Sequence, residues 1–470
     1  MREFTIAEVV SAVKGRLICG SGDGSVLKIC TDSRLAKPGD LFFPLIGEKN
    51  NGHDYLAQVF ERGCRSVIVS EPEKIPKRAF LSDGMQPDAI LVENTTKALQ
   101  DLAAYYLSTL PIKHKVAVTG SVGKTSTRDM MYYIASMKYK TGRNIKNFNN
   151  WFGLPLSILE FAPDTEAAVL EMGMDNFGQI ETLARIAEPD IALITNIGIS
   201  HIENLGSREG ILEAKMEVTS CFDEDCMLIV NGDCDMLCRE NVAGPYKLIT
   251  VGTDEQNEYV VRDICDFGDK GIKYTLIHND KSYIVNLNVP GAHNALNATL
   301  AIAAGEQMGI GIETSVKGLS EAQLTEKRLN IKEKDGIKVI DDTYNACPAS
   351  VMSAITTLAN TEGKRKIAII GDMYELGSET EAAHAEVGRF AGRTGLDYVI
   401  AVGEFAKGYA EGAVSFLPDD RVLYCKDKQE LMPKLDTLLA AGDVVLVKAS
   451  RGMEMAQEYT AKDKAAMVTS

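Results

Sequence analysis

The chain has 470 residues, 45% apolar and 25% charged, an ordinary balance for a globular protein and a length that suggests about three domains. Its 66 acidic residues outnumber 50 basic ones, and the net charge of −16 argues against binding a nucleic-acid backbone, which requires a basic face. The opening MREFTIAEVV lacks a signal-peptide core, and no apolar run approaches the ~20 residues of a membrane span, so the expected location is the cytoplasm.

Residues 1–88 mix short strands and helices with many turn signals. Gly20-Ser21-Gly22-Asp23-Gly24 follows no strand-to-helix pattern and reads as a turn, not a dinucleotide loop. From 89 to 318 strands and helices alternate. The predicted strands are Val116–Thr119, Ala167–Glu171, Ile191–Thr195, Met227–Asn231 and Leu248–Gly252, with helices between them such as Asn176–Ala187, stopped by Pro189. That order predicts a largely parallel sheet with helices on both faces. Residues 257–289 read as a β excursion, and Ala292–Met308 as a helix of small residues. Residues 319–470 begin again, with strands at Lys338–Ile340, Lys366–Ile370, Tyr398–Val402 and Val444–Lys448. The expected class is α/β: a small N-terminal domain, a central doubly wound parallel sheet and a Rossmann-like C-terminal domain. Ligands in such sheets bind beyond the carboxyl ends of the strands.

Lys115–Ser126, KVAVTGSVGKTS, is the most informative segment. A β-branched run enters a glycine turn, then Lys-Thr and a helical stretch. Free N–H groups and the helix dipole favour an anion there. Lys124 would reach the β/γ-phosphates and the Thr125 hydroxyl would ligate Mg²⁺. Only Ser121 and Val122 separate Gly120 from Gly123, so the loop is shorter than that of motors and GTPases.

Other candidates lie at predicted strand ends. Glu171 closes AAVLE and suits Mg²⁺, which prefers oxygen ligands; a surface carboxylate is the competing reading. His201 follows the strand IALITN, where it is either functional or simply solvated. Lys215 lies in a helical stretch with Glu213 and Glu217, which by itself reads as an exposed ion-paired face. The amide run Asn147 to Asn150 before Trp151 is a turn or a set of donors for phosphate or sugar. Asn294 and Asn297 open the small-residue helix, as caps or as readers of an adenine edge. Asp342 ends a strand and could accept from ribose hydroxyls. Lys448 and Arg451 follow the strand VVLV and suit a carboxylate or phosphate. Cys221, Cys226, Cys234 and Cys238 cluster in sequence, but their spacing across a strand and turn favours reduced thiols over a zinc site.

Taken in order, TGSVGKT, NFNNWFGLP, EMG, TNIG…H, AKME, GAHNALN, DDTYNACP, GDMYELG and KASR resemble the Mur ligases of bacterial cell-wall synthesis, and TDSR…GDLFFPLIG extends the likeness to the N-terminus. The resemblance implies three domains, drawn here as 1–88 for the UDP-sugar, 89–318 for ATP and 319–470 as the Rossmann-like part. It implies an ATP-dependent ligase that joins D-alanyl-D-alanine to UDP-N-acetylmuramoyl-tripeptide; a sibling adding the third amino acid is the alternative, and a monomer is the expected state. Gly120, Ser121, Val122, Gly123, Lys124, Thr125 and Ser126 would wrap the ATP phosphates. Thr125 and Glu171 would hold one Mg²⁺ and His201 a second, and Lys215 would carry a carbamate formed with CO₂. Asn294, Asn297 and Arg328 would face the nucleotide, with Asp342 on the ribose. Ser33 and Arg34 would lie near the uridine, Asn149 and Asn150 would bind substrate, and Asn345, Lys448 and Arg451 would serve the incoming dipeptide or the acyl intermediate. Cys347 and Ala449 depart from the family's usual Asn and Gly. The DNPR motif of the diaminopimelate-adding sibling and the NKxD motif of GTPases are both absent.

Overall fold

The computed structural model describes residues 1–47, 49–76, 86–323 and 329–455. They fall into two units. One comprises the described residues of Met1–Ala117, Tyr139–Gly173 and Gln179–Asp190; the other those of Val118–Lys138, Met174–Gly178 and Ile191 onward. No helix among the described residues is long and apolar enough to cross a membrane.

The first unit holds a five-stranded sheet in the order Arg16–Cys19, Asp88–Leu91, Ser66–Val69, Asp40–Phe42, Lys28–Cys30. All pairings are parallel except that of the Arg16–Cys19 edge. Ser66–Val69, reading SVIV, is buried throughout, as a strand covered on both faces must be. Its core is Phe42, Leu56, Val59, Phe60, Val67 and Val69. The Gly20–Gly24 turn is present, with Gly20 and Gly22 at φ +86° and +75°. The helix Thr95–Thr109 is capped by Asn94, which accepts from Lys97 N–H at 2.9 Å. Strand Thr141–Arg143 pairs in parallel with Ala167–Glu171.

Asn144 joins those last two strands beyond their ends. Buried at 2% exposure, it accepts from Glu171 N–H at 2.6 Å and donates to Phe148 O at 2.7 Å and Glu171 O at 3.1 Å. Asn144→Ala strands these buried backbone groups, and each unmade buried bond costs about 1–3 kcal/mol. A fall in the urea midpoint equivalent to about 2–4 kcal/mol is expected; an unchanged midpoint would show that Asn144 holds nothing.

The second unit carries six neighbouring strands, Ile191–Ile194, Met227–Asn231, Lys247–Gly252, Tyr259–Asp266, Ile272–His278 and Lys281–Leu287. The first four pair in parallel and the last two add antiparallel, so the excursion expected over 257–289 is a three-stranded meander. Its tight turn uses Asn279 and Asp280 at φ +49° and +58°, the left-handed pair of a two-residue hairpin. The helix expected from Asn176 starts at Gln179 instead. Gly178 sits at φ +76°, outside the range of a right-handed helix, and gives its N–H to Glu217 Oε1 at 2.6 Å. The helices Lys124–Ser136 and Asn294–Gln307 pack closely because Gly305 has no side chain: a Cβ there would lie 2.7 Å from Ile134 Cγ2.

A separate sheet in the same unit runs Asn330–Lys334, Ile337–Asp342, Asp443–Lys448, Arg365–Gly371, Tyr398–Val402, Val422–Cys425. It is parallel apart from its first hairpin. The last strand in sequence, Asp443–Lys448, inserts between Ile337–Asp342 and Arg365–Gly371. That is the switch point where a doubly wound sheet opens a crevice.

Candidate active site

Strand His114–Thr119 leads into residues 120–123 and then the helix Lys124–Ser136. Gly120 and Gly123 have φ of +140° and +89°. A Cβ at Gly120 would lie 2.0 Å from Thr195 Oγ1, and one at Gly123 would lie 2.8 Å from Asn297 Nδ2. Both conformation and space therefore demand glycine. Gly120→Ala is expected to abolish nucleotide binding by displacing the loop, read as loss of ATP-dependent thermal stabilisation. Retained stabilisation would mean the loop adapts.

Thr195 and Asn196, at the end of the neighbouring strand, strap the loop down. Ser121 N–H donates to Asn196 O at 2.9 Å. The Asn196 side chain accepts from Val122 N–H at 3.0 Å and donates to Val122 O at 2.9 Å, and Thr195 Oγ1 donates to the same carbonyl at 2.6 Å. Ser121 Oγ accepts from Gly198 N–H at 2.9 Å. The Ser121 and Val122 amides are thus taken within the protein. The amides from Gly123 onward, at a helix start without a side-chain cap, are those suited to an anion. Thr195 and Asn196 were not among the residues singled out from sequence, although the TN at a strand end was the available signal.

Lys124 folds back over the loop, its Nζ donating to Gly120 O at 2.7 Å and Ser121 O at 3.2 Å. Thr125 is 1% exposed, and its buried Oγ1 has no hydrogen-bond partner among the described residues. An orphaned hydroxyl behind a phosphate loop fits a hard cation such as Mg²⁺. Lys215, in the helix Arg208–Met216, is not on the exposed face its neighbours suggested; it is 2% exposed. Burial, and then the charge of Lys124, hold its ammonium well below the ordinary lysine range.

Glu171 ends its strand at 1% exposure, and its Oε1 accepts from Asn149 Nδ2 at 2.8 Å. Asn150 Oδ1 instead accepts from Gly153 N–H at 2.9 Å, at the start of the helix Gly153–Leu159. The amide run therefore braces a carboxylate and a helix end. His201 adopts a left-handed conformation, φ +64°, before the helix Ile202–Leu205. Its Nδ1 stands 2.7 Å from Glu375 Oε2.

Asn294 and Asn297 are buried at the start of their helix. Asn294 Nδ2 donates to Pro290 O at 2.6 Å, and Asn297 Nδ2 to Asn294 Oδ1 at 3.0 Å. Asn297 is also the side chain against Gly123. Arg328 lies outside the described residues. In the first unit, Ser33 Oγ donates to Gln58 Oε1 at 3.0 Å. Arg34, 80% exposed, grips Asp32 through two nitrogens and holds its carboxyl at about 2.

At the switch point, Asp342 and Lys448 are register partners. Lys448 Nζ, 2% exposed, donates to Asp342 Oδ2 at 2.6 Å and to Asn345 O at 2.9 Å. The three residues assigned separately to ribose and dipeptide thus form one cluster, while Arg451 is exposed beyond it. Cys347 precedes the helix Pro348–Asn360, giving its N–H to Ser350 Oγ at 3.0 Å. Ala449 is fully buried, and a Cβ on Gly371 would lie 2.7 Å from its own. Cys221, Cys226, Cys234 and Cys238 are free thiols, and no group of three metal-binding side chains forms among the described residues.

Three family models match the chain in order: "Mur ligase family, catalytic domain" over residues 26–107, "Mur ligase middle domain" over 118–305, and "Mur ligase, glutamate ligase domain" over 327–451. The UDP-N-acetylmuramoyl-tripeptide–D-alanyl-D-alanine ligase of Bacillus subtilis is 38% identical, with 97% of both chains covered. The enzyme of that name from Escherichia coli is 31% identical, also over 97% of both. The crystal structure of MurF from Acinetobacter baumannii superimposes with a TM-score of 0.86 at 30% identity, covering 97% of each chain. MurF from Thermotoga maritima, solved in complex with ADP, gives 0.77 at 28% identity, over 91% of this chain and 94% of that one. The chain belongs to the Mur ligase family.

Proposed function

We propose that this chain is an ATP-dependent ligase, a cytoplasmic monomer, that joins D-alanyl-D-alanine to UDP-N-acetylmuramoyl-tripeptide. The 38% identity to the Bacillus subtilis enzyme of that name, across 97% of both chains, carries this reading over the sibling that adds the third amino acid. The proposed division of labour is 1–88 for the UDP-sugar, 89–318 for ATP and 319–470 for closing on the dipeptide.

In the proposed reaction the tripeptide's terminal carboxylate takes the γ-phosphoryl group of ATP, giving an acyl phosphate and ADP. The dipeptide's amine then attacks the acyl carbon, loses a proton and expels phosphate. A carboxylate approaching a triphosphate brings like charges together, so the protein's task is positioning and charge neutralisation. Lys124 and the amides from Gly123 to Ser126 answer the phosphates. The orphaned Thr125 hydroxyl, the buried Glu171, His201 and a carbamate on Lys215 are the proposed Mg²⁺ holders; bound Mg²⁺ would supply Lewis-acid stabilisation of the transferred group. The buried, easily neutralised Lys215 amine supports carbamate formation, since only the neutral amine captures CO₂. Asn294, Asn297 and Arg328 are proposed for the nucleotide, Asp342 for the ribose, Ser33 and Arg34 for the uridine end, Asn149 and Asn150 for substrate, and Asn345, Lys448 and Arg451 for the dipeptide or the acyl intermediate.

The test offers two substrate pairs, each with ATP and Mg²⁺. Phosphate release with the tripeptide and D-alanyl-D-alanine alone is the expected result. Release only with UDP-muramoyl-dipeptide and a single amino acid would reassign the chain to the sibling.

A further inference from the structure

We propose that Glu375 is a positioning residue, whose carboxylate fixes the His201 ring so that Nε2 is the nitrogen offered to the ATP site. The proposal rests on the reading that His201 serves that site. Three observations carry it.

First, His201 Nδ1 is buried and makes no well-aligned hydrogen bond among the described residues, while the Glu375 carboxylate stands against it, Oε2 2.7 Å away at ion-pair distance. A carboxylate cannot donate, so a neutral imidazole held there carries its proton on Nδ1, and its lone pair is left on Nε2. Second, both residues are left-handed without being glycine, at φ +64° and +63°. Such conformations persist only where the surroundings hold them, and they cluster at functional sites. Third, both loops follow the carboxyl ends of parallel strands, Ile191–Ile194 and Arg365–Gly371. The second loop continues over the helix Ile202–Leu205, where a Cβ on Gly377 would lie 3.7 Å from Glu203 Cβ. Two separate strand ends thus converge on one imidazole. A carboxylate orienting a histidine in this way sets ring and tautomer for whatever the other nitrogen meets.

The experiment uses full-length protein labelled with ¹⁵N-histidine, free of nucleotide and metal, at a pH where the imidazole is neutral. The chain has six histidines, and His201→Gln identifies the resonance of interest. Wild type is expected to show the Nδ1–H tautomer. Glu375→Ala should shift it towards Nε2–H and lower kcat about 10–100-fold, the usual cost of losing such a partner, with the KM for the UDP-linked tripeptide unchanged. Glu375→Gln, whose amide oxygen still accepts, should keep the tautomer and recover most of kcat. An unchanged tautomer in Glu375→Ala would overturn the proposal, as would a changed tautomer with wild-type kcat. Wild-type protein inactive with both substrate pairs would instead overturn the ligase reading, and the tautomer comparison would still decide the Glu375 contact.

Discussion

Lys215→Ala is expected to lower ligase turnover by about 10²–10³-fold, the scale seen when one preorganised charge-stabilising group is removed. Holding an ordinary lysine neutral at pH 7 costs roughly 4–5 kcal/mol, given a reference pKa of about 10.4. Here burial, and then the nearby charge of Lys124, supply that bias before any ligand arrives. The neutral amine can add to CO₂ and lose a proton, replacing a cation with an anion. Short carboxylates should restore part of the turnover of Lys215→Ala by occupying the vacated space. Near-wild-type turnover in the variant would remove Lys215 from the mechanism. Stability supplies a second readout with a definite sign. Between the depressed folded pKa and about 10.4, the unfolded chain binds more protons than the folded one. This group's contribution therefore rises with pH across that window and is lost as pH falls through the folded value. In CO₂-free buffer, the urea midpoint of wild type should climb relative to Lys215→Met as pH rises towards 10.4. A parallel pair of curves would contradict a depressed pKa.

Lys448→Met should have the largest effect on stability. It removes the cation from a nearly buried pair and leaves Asp342, whose side chain is only 13% exposed, without its partner. Breaking such a pair from one side costs about 3–5 kcal/mol, far more than the intact pair contributes over an apolar replacement. Amide exchange in the strands Ile337–Asp342 and Asp443–Lys448 should accelerate by about 10²–10³-fold, at a factor of ten per 1.4 kcal/mol. Adding Asp342→Asn should recover a good part of that loss, because the uncompensated charge disappears. Exchange at the wild-type rate in Lys448→Met would mean the pair does not hold the switch point. The comparison also separates scaffolding from substrate contact, since a purely substrate-binding lysine would leave exchange unaltered.

Apolar runs bounded by turns made the strands legible, because parallel strands covered on both faces have little alternation to obscure them. Ala167–Glu171, Met227–Asn231 and Tyr398–Val402 fall where the sequence placed them. The helix start at Gln179 did not, because Gly178 turns left-handed where a distant carboxylate on Glu217 holds its amide, a contact that local propensity does not reveal. The phosphate loop was legible from glycine spacing alone. Its strap was not: Asn196 lies 74 residues from the Val122 amide it meets, so only the sheet brings them together. Nor was the burial of Lys215, since charged neighbours at helical spacing describe an exposed face equally well. Asp342 and Lys448 were both visible as strand-end polar residues. That they meet each other depends on the parallel register, which a single sequence does not print.

The central claim is that the tripeptide carboxylate is activated by phosphoryl transfer before the dipeptide attacks. The direct measurement supplies UDP-N-acetylmuramoyl-tripeptide with ¹⁸O in its terminal carboxylate, together with ATP, Mg²⁺ and D-alanyl-D-alanine. Mass analysis of the released phosphate should find one ¹⁸O per turnover, because the oxygen that attacks the γ-phosphorus departs with it. Phosphate released with no ¹⁸O, while the peptide bond still forms, would contradict an acyl phosphate and with it this account of the site.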